Sequence, residues 1–505
     1  MNITELFYTS AQRFPKETAI IFKDQQITYE ELAQQVQETA AWFNHKGIQR
    51  GDRVLIFVPM SIDLYRCVLA LFHIGATAVF LDEWVSKKRM ELCCQIANCQ
   101  AFIGICKARV FAYFSPELRR IPIKLGTSYQ TKGLRIARMV ETTPEETALI
   151  TFTTGSTGTP KAAKRTHGFL EKQFGKLIEK IDPQVGDIDM PVLPIVLLCN
   201  LGLGATSVIA DFKAAKPASF KPAKVLRQIQ QHKVNRMTAS PFFLKKLSQF
   251  LIEEKKCLSQ IQKIFTGGAA VFPEEAELYI AAFPYAVIHI VYGSTEAEPI
   301  SAIEAKDLIK EKGKVLTQGL KVGIPETPTK IIRIEDGEIE CANMEALATY
   351  QVATTEIGEI IVSGAHVLRA YYNNPAALKR NKISIGDQVW HRTGDGGYLD
   401  ADGTLFLTGR CKQMIPHASG YLAPFLYEYF FQTLSGVSMG TILSYQEEVV
   451  IALETDKQAN RTEIEEAIKQ LKIGTTAIRF VKKIPRDPRH HSKIDYDQLV
   501  AQLKT

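Results

Sequence analysis

The strongest constraint on how this chain can fold is an alternation of helical-period segments with short, unbroken apolar runs. Thr28 to Lys46 carries apolar residues at helical spacing, and Thr28 with Glu31 has the pattern of a capping box. Asp52-Arg53 leads into the apolar run Val54 to Val58, Ser61 to Ile74 reads as a crossover helix, and Ala78 to Leu81 as the next strand. The rhythm returns as a helix over Ala223 to His232 and a strand over Val234 to Ala239, then as a helix over Pro273 to Ala282 and a strand over Ala286 to Val291. Runs of this kind suit strands covered on both faces, so the pattern predicts parallel α/β layers. Its two rounds predict two stacked α/β subdomains within a large N-terminal domain. At 505 residues the chain exceeds one ordinary core.

After about residue 325 the texture changes to short alternating strands, Thr329 to Ile334 and Gly358 to Val362, which predict a small β-rich module. Beyond Gly409-Arg410 a compact, helix-rich α+β tail is expected. It has a strand over Glu448 to Leu453 and helices over Arg461 to Leu471 and Tyr496 to Leu503. The expected division is a large domain at 1–411 and a small one at 412–505.

Composition narrows the function. Hydrophobic residues make up 46% and charged residues 23%, an ordinary globular balance. The net charge of +7 is spread thinly, with no basic tract interleaved with aromatics, so nucleic acid is not an expected partner. Nine cysteines without a CxxC pair, and no HExxH, predict reduced thiols and no zinc site. The first twenty residues lack the charged and apolar regions of a secretory leader, so a cytoplasmic location is expected. Met190 to Ala210 is uncharged and long enough to span a bilayer. It contains Pro191, Pro194, Asn200, Gly202 and Gly204, however, and reads as a strand, a loop and a small-residue helix, with no transmembrane segment. The apolar stretch Leu193 to Ile209, with Phe242-Phe243, reads either as an acyl pocket or as plain core.

Leu149 to Phe152 reads as a strand running into Thr153-Thr154-Gly155-Ser156-Thr157-Gly158-Thr159-Pro160-Lys161. Gly155 and Gly158 let the backbone turn its N–H groups toward an anion, the hydroxyls of Thr153, Thr154, Ser156 and Thr157 add donors, and Lys161 supplies a mobile cation. This is not the P-loop of the nucleoside triphosphatases, in which Gly-Lys-Ser/Thr opens a helix; here Lys161 follows Pro160 and precedes two alanines.

The loop resembles the phosphate-binding signature of the adenylate-forming superfamily: acyl-CoA synthetases, peptide-synthetase adenylation domains and luciferases. Further motifs follow in that family's order. Thr266-Gly267-Gly268-Ala269-Ala270 resembles the segment whose backbone flanks adenine, and Tyr292-Gly293-Ser294-Thr295-Glu296 matches YGxTE. The resemblance implies that Tyr292 lies along the adenine face, Thr295 touches the α-phosphate and Glu296 helps hold Mg²⁺. Thr393-Gly394-Asp395 resembles the TGD segment, implying that Asp395 accepts from the ribose hydroxyls, and Leu407-Thr408-Gly409-Arg410 places Arg410 near ribose and phosphate. Lys493 falls where the family keeps its adenylation lysine, and Lys412 at the hinge about which the small domain rotates. His490-His491 reads as a solvated loop pair and not a metal site.

The implied reaction is ATP- and Mg²⁺-dependent activation of a carboxylic acid, fatty or long-chain, to an acyl-adenylate, followed by transfer to CoA or a carrier thiol. Departures gather where the second half-reaction is built. Ala162 follows Pro-Lys, Pro194-Ile195-Val196-Leu197 lacks the gate histidine, and Pro416, Ser419 and Ser492 replace common residues. These positions resemble a branch, the β-lactone synthetases of bacterial olefin biosynthesis, at Ala101 to Ile105, Asn200 to Asp211 and Pro488 to Ile494. In that branch the 3-hydroxyl of a 2-alkyl-3-hydroxy acid displaces AMP without CoA. A nucleotide-binding pseudoenzyme is the alternative from another class.

Overall fold

The computed structural model describes residues 1–504 except 82–86, 155–159, 213–218, 418–419, 447, 472, 474–475 and 487–493. The chain folds as a mixed α/β protein with a large N-terminal domain and a small C-terminal one. Two mostly parallel sheets form the large domain. The first runs Ile123–Leu125, Ala101–Gly104, Arg53–Phe57, Thr77–Phe80, Thr147–Thr154, with Pro160–Thr166 added antiparallel at the edge. The second runs Ala297–Glu304, Val287–Ser294, Lys263–Gly267, Arg236–Ala239, Ile188–Pro191, Thr206–Ile209, Thr18–Phe22, Gln25–Thr28, antiparallel only at its two ends. Two consecutive rounds were expected, but the second sheet also recruits the N-terminal hairpin Thr18–Thr28, with Ile20 to Phe22 registered on Ser207 to Ile209.

Local chemistry explains the helices between these sheets. Tyr29–His45 starts at Thr28, whose Oγ1 accepts from the Glu31 N–H at 3.2 Å while the Glu31 carboxylate accepts from the Thr28 N–H at 2.9 Å. That reciprocal pair satisfies two otherwise orphaned donors. Ser61 caps Ile62–His73 in the same way, through the Leu64 N–H at 3.3 Å. Side chains on the first sheet alternate between two cores: Val54 and Ile56 face the layer between the sheets, and Leu55 faces the outer layer with Val79 and Phe102. Each fully buried Leu, Ile or Phe stabilises this arrangement by roughly 1.5–3 kcal/mol before entropy is counted.

Met190 to Ala210 is divided into the end of Ile188–Pro191, the helix Pro194–Leu201 and the strand Thr206–Ile209. Its apolar character reflects burial in the second sheet, and among the described residues no helix is long and apolar enough to cross a membrane. The β-rich module is an antiparallel sheet in the order Leu320–Gly323, Leu405–Arg410, Gln388–Leu399, Gly358–Ser363, Thr329–Ile332, with Lys382–Ile385 also on Gln388–Leu399.

The C-terminal part holds more strand than its helix-rich pattern predicts. It contains the hairpin Ile415–His417 with Gly420–Leu422, and the sheet Val437–Tyr445, Glu448–Thr455, Thr476–Val481. The helices Pro424–Thr433 and Arg461–Lys469 cover one face of that sheet through Phe431, Ile464 and Ile468, and Tyr496–Leu503 covers the other through Leu499.

Candidate active site

One cavity of about 2420 Å³ lies between the two sheets, the β-rich module and the C-terminal elements. Lys161, Gly268, Ala269, Tyr292, Gly293, Thr295, Glu296, Asp395, Arg410 and Lys412 all line it, so residues scattered over 250 positions of sequence meet on one surface. Thr153 and Thr154 end the strand Thr147–Thr154. Gly155, Ser156, Thr157 and Gly158 lie outside the described residues, as do Ser419, His490, His491, Ser492 and Lys493. Ile494, the residue after Lys493, lines the cavity.

Lys161 is not a loop residue. It lies on Pro160–Thr166 with its backbone paired to Thr153, so strand geometry aims its side chain. Proline is tolerated at that strand's first residue, where its missing N–H costs least. The Lys161 ammonium donates to Asn381 Oδ1 at 2.6 Å and stands 5.7 Å from the centre of the Tyr371 ring. Burial holds its pKa below the usual lysine range, and Lys412, Arg380 and Arg410 push it further down against the pull of Glu296. A group of cations near one carboxylate repels itself and is relieved by a polyanion.

Thr295 and Glu296 form the tip between the strands Val287–Ser294 and Ala297–Glu304. Glu296 is buried; its Oε1 accepts from the Tyr371 hydroxyl at 3.1 Å, and its carbonyl accepts from the Leu368 N–H at 2.7 Å. Beneath the Tyr371 ring lies Lys382, whose ammonium bonds the Leu368 carbonyl. Burial pushes Lys382 down to about 7, with Glu296 pulling it up and Lys161 pushing it lower.

Tyr292, Asp395 and Arg410 form the other end of the site. The Tyr292 hydroxyl donates to Asp395 Oδ2 at 2.8 Å, and the Arg410 guanidinium reaches Asp395 Oδ1 at 3.0 Å. Asp395 and Arg410 face each other in register across two strands, which brings two motifs fifteen residues apart into one place. The turn before Asp395 is held by a buried pair: Arg392 donates to Glu359 at 2.6 and 2.9 Å, and the Gly394 N–H bonds the other Glu359 oxygen at 3.2 Å. Gly267 has no room for a side chain, since a Cβ there would meet the Val291 carbonyl oxygen at 2.5 Å. Gly268 has a φ of +84°, in the left-handed region that favours glycine.

Sequence motifs did not single out Tyr371, Asn381, Lys382, Glu359 or Arg165. Each stands alone in its stretch, and only tertiary contacts reveal it. Buried Arg165 donates to the Thr295 carbonyl at 3.2 Å, which fixes the tip from below. Of the two apolar candidates, Leu193, Ile195, Leu198 and Ile209 line the cavity. Phe243 instead packs in the core with Phe212 and Phe220, and Phe242 is exposed.

The model of the AMP-binding enzyme family matches residues 7–372. The chain belongs to this family. As a member of the AMP-binding enzymes it is an adenylate-forming ligase. It is 30% identical over 515 residues to the olefin beta-lactone synthetase of Xanthomonas campestris pv. campestris, covering 94% of this chain and 90% of that protein. The 4-coumarate–CoA ligase 1 of Arabidopsis thaliana is 24% identical over 79% of this chain and 72% of its own length. The O-succinylbenzoate coenzyme A synthetase of Bacillus subtilis in complex with AMP shares the fold, with a TM-score of 0.80 at 20% identity over 99% of this chain and 98% of that one.

Proposed function

We propose that the enzyme uses ATP to convert a 2-alkyl-3-hydroxy acid into an acyl-adenylate, and that the acid's own hydroxyl then closes a β-lactone. The observation that carries this reading is the single cavity that joins the cation- and motif-lined end to a wall of Leu64, Tyr65, Val68, Leu193, Ile195 and Leu198. A nucleotide fits the first end and a branched acyl chain the second.

In the first step a carboxylate oxygen bonds to the α-phosphorus, and pyrophosphate leaves with the electron pair. Two anions approach each other, so catalysis calls for positive charge and positioning more than for acid–base chemistry. Lys161, Arg410 and Lys493 supply the charge in this reading. Asp395 takes the ribose hydroxyls, Tyr292 stacks on adenine beside Gly267, Gly268 and Ala269, and the 153–158 loop holds the phosphates with Thr295. Among the described residues no cluster of three metal-ligating side chains occurs, and the Glu296 carboxylate is steadied by Tyr371. That suits Mg²⁺, which keeps several waters and needs few protein ligands beside phosphates. When bound, it neutralises phosphate charge. In the second step the hydroxyl oxygen bonds to the acyl carbon, the carbon–oxygen bond to phosphate breaks with its pair going to AMP, and the hydroxyl proton is released.

The internal acceptor is supported by the similarity to olefin beta-lactone synthetases along 94% of the chain and by the helix Pro194–Leu201, which presents no histidine where a gate residue is expected. Transfer to CoA or a carrier thiol is the second reading, favoured by the similarity to 4-coumarate–CoA ligase. We place the domain boundary at 411/412, with Lys412 as the hinge. The test is incubation with ATP, Mg²⁺ and acid, with and without CoA, read by product mass. A lactone formed without CoA supports the first reading, and a thioester formed only with CoA replaces it. Acid-dependent pyrophosphate release separates both from a nucleotide-binding pseudoenzyme. Lys493→Ala should reduce that release strongly, and unchanged release would remove this lysine from the mechanism.

A further inference from the structure

Among the carboxylates that line the cavity outside the nucleotide motifs, one lies two residues from the Thr295–Glu296 tip. Glu298 is the second residue of Ala297–Glu304, and its side chain lines the cavity wall. A Cβ built on Gly293 would meet Glu298 Cα at 3.2 Å and Cγ at 3.3 Å, so the side chain lies against the backbone of the Tyr292–Ser294 segment. Among the described residues no group donates to its carboxylate, which is half-buried and opens to the cavity. Its charge acts on two neighbours. One is Arg165, which also holds the Thr295 carbonyl at 3.2 Å and keeps an unpartnered buried Nε. The other is Cys199 on the helix Pro194–Leu201, whose Ile195 and Leu198 wall the apolar end. Glu298 thus stands where the acyl chain meets the reacting end.

A carboxylate without a hydrogen bond beside an apolar wall is costly, and residues kept only for packing are apolar there. A ligand hydroxyl repairs the deficit. Burial raises the Glu298 carboxyl above the usual carboxylate range, and Arg165 pulls it back toward the ionised form, the better acceptor.

We infer that Glu298 is the point at which the acid pocket recognises a hydroxyl near the carboxyl end of its substrate, accepting the hydrogen bond of the 3-hydroxyl and holding that oxygen beside the Thr295 tip. The inference rests on the 3-hydroxy acid reading and adds the residue that enforces it. The hydroxyl oxygen is thereby oriented toward the acyl carbon before ring closure, and acids lacking the hydroxyl leave the carboxylate unpaired.

The experiment compares pyrophosphate release from a 2-alkyl-3-hydroxydecanoic acid and from the matched 2-alkyldecanoic acid, using wild-type enzyme, Glu298→Gln and Glu298→Leu. The wild type should prefer the hydroxy acid by about tenfold or more in kcat/KM, since a site built to bond a hydroxyl rejects analogues without one. Glu298→Leu should bring that ratio close to one, mainly through KM, while turnover of the 2-alkyldecanoic acid stays within about twofold of wild type. That second acid doubles as the control for folding. Glu298→Gln keeps the shape and should give an intermediate ratio. A ratio unchanged in both variants, or a wild-type enzyme indifferent to the hydroxyl, overturns the inference. The acceptor reading fails separately, if the wild type yields thioester with CoA and no lactone without it. The ratio between the two acids still decides Glu298 in that case.

Discussion

Single side chains in this protein act through partners that lie far away in sequence. Asp395 is held in place because Arg410 faces it in register and the Tyr292 hydroxyl reaches it at 2.8 Å, and the proposed function gives it the ribose hydroxyls. Asp395→Ala should raise the KM for ATP about ten- to a hundredfold, the value of hydrogen bonds to a charged acceptor, with the melting temperature little changed. A KM within twofold of wild type would mean that the ribose is held elsewhere. His167 supplies the pH argument. It is buried, its Nδ1 accepts from the Ile3 N–H at 3.2 Å, and burial holds its pKa down to about 4, with the Glu146 charge pulling upward and the N-terminal ammonium pushing lower. The unfolded histidine titrates near 6.5, so between these values the unfolded chain binds the extra proton. Stability from this group is therefore complete above about pH 6.5 and falls as the pH drops toward 4, by up to about 3 kcal/mol. His167→Gln should flatten that slope in urea midpoints measured against pH. An identical slope would assign acid sensitivity to other groups.

At the scale of elements, the parts that can be read early are those whose cause is local. The capping box at Thr28, the Ser61 cap and the helix Pro273–Ala282 stand where propensity and capping predict them. Thr28→Ala should cost about 1 kcal/mol in unfolding free energy and leave pyrophosphate release unchanged, because the cap is exposed and remote from the cavity. The reverse should hold for Gly267→Ala. Its Cβ would press on the Val291 carbonyl, forcing apart the two strands that present Gly268 and Tyr292, and nucleotide affinity should fall along with stability. Retained affinity would show that these strands can shift without moving the site. The strand Pro160–Thr166 illustrates what local reasoning misses. Pro-Lys after a glycine-rich run reads as loop, but the edge of the first sheet on one side and residues 370–372 on the other give it strand partners.

Across the whole molecule, the C-terminal elements close one wall of the cavity through the helix Pro424–Thr433, where Tyr429 stacks on Phe272 at 4.6 Å and donates to Glu274 at 2.7 Å. In the proposed reading, a rotation about Lys412 would break those contacts and remake the reacting end for the second step. Lys412→Pro stiffens that turn, and the expected outcome is near-normal pyrophosphate release with loss of the second step. Equal loss of both steps would count against a hinge there.

Short-range chemistry in the sequence was enough to predict the α/β layering and the capping box at Thr28, because capping pairs and buried-strand composition depend on neighbours in the chain, while the family resemblance supplied the motifs and their order. Tertiary structure alone decided three further matters. The N-terminal hairpin Thr18–Thr28 joins the second sheet, Lys161 is aimed from a strand, and Tyr371, Lys382, Arg165 and Glu298 stand around the Thr295–Glu296 tip. The physical reason is the same for all three. Pairing across a sheet edge and the sharing of charge inside a cavity depend on which distant segments meet, and no local spacing records that.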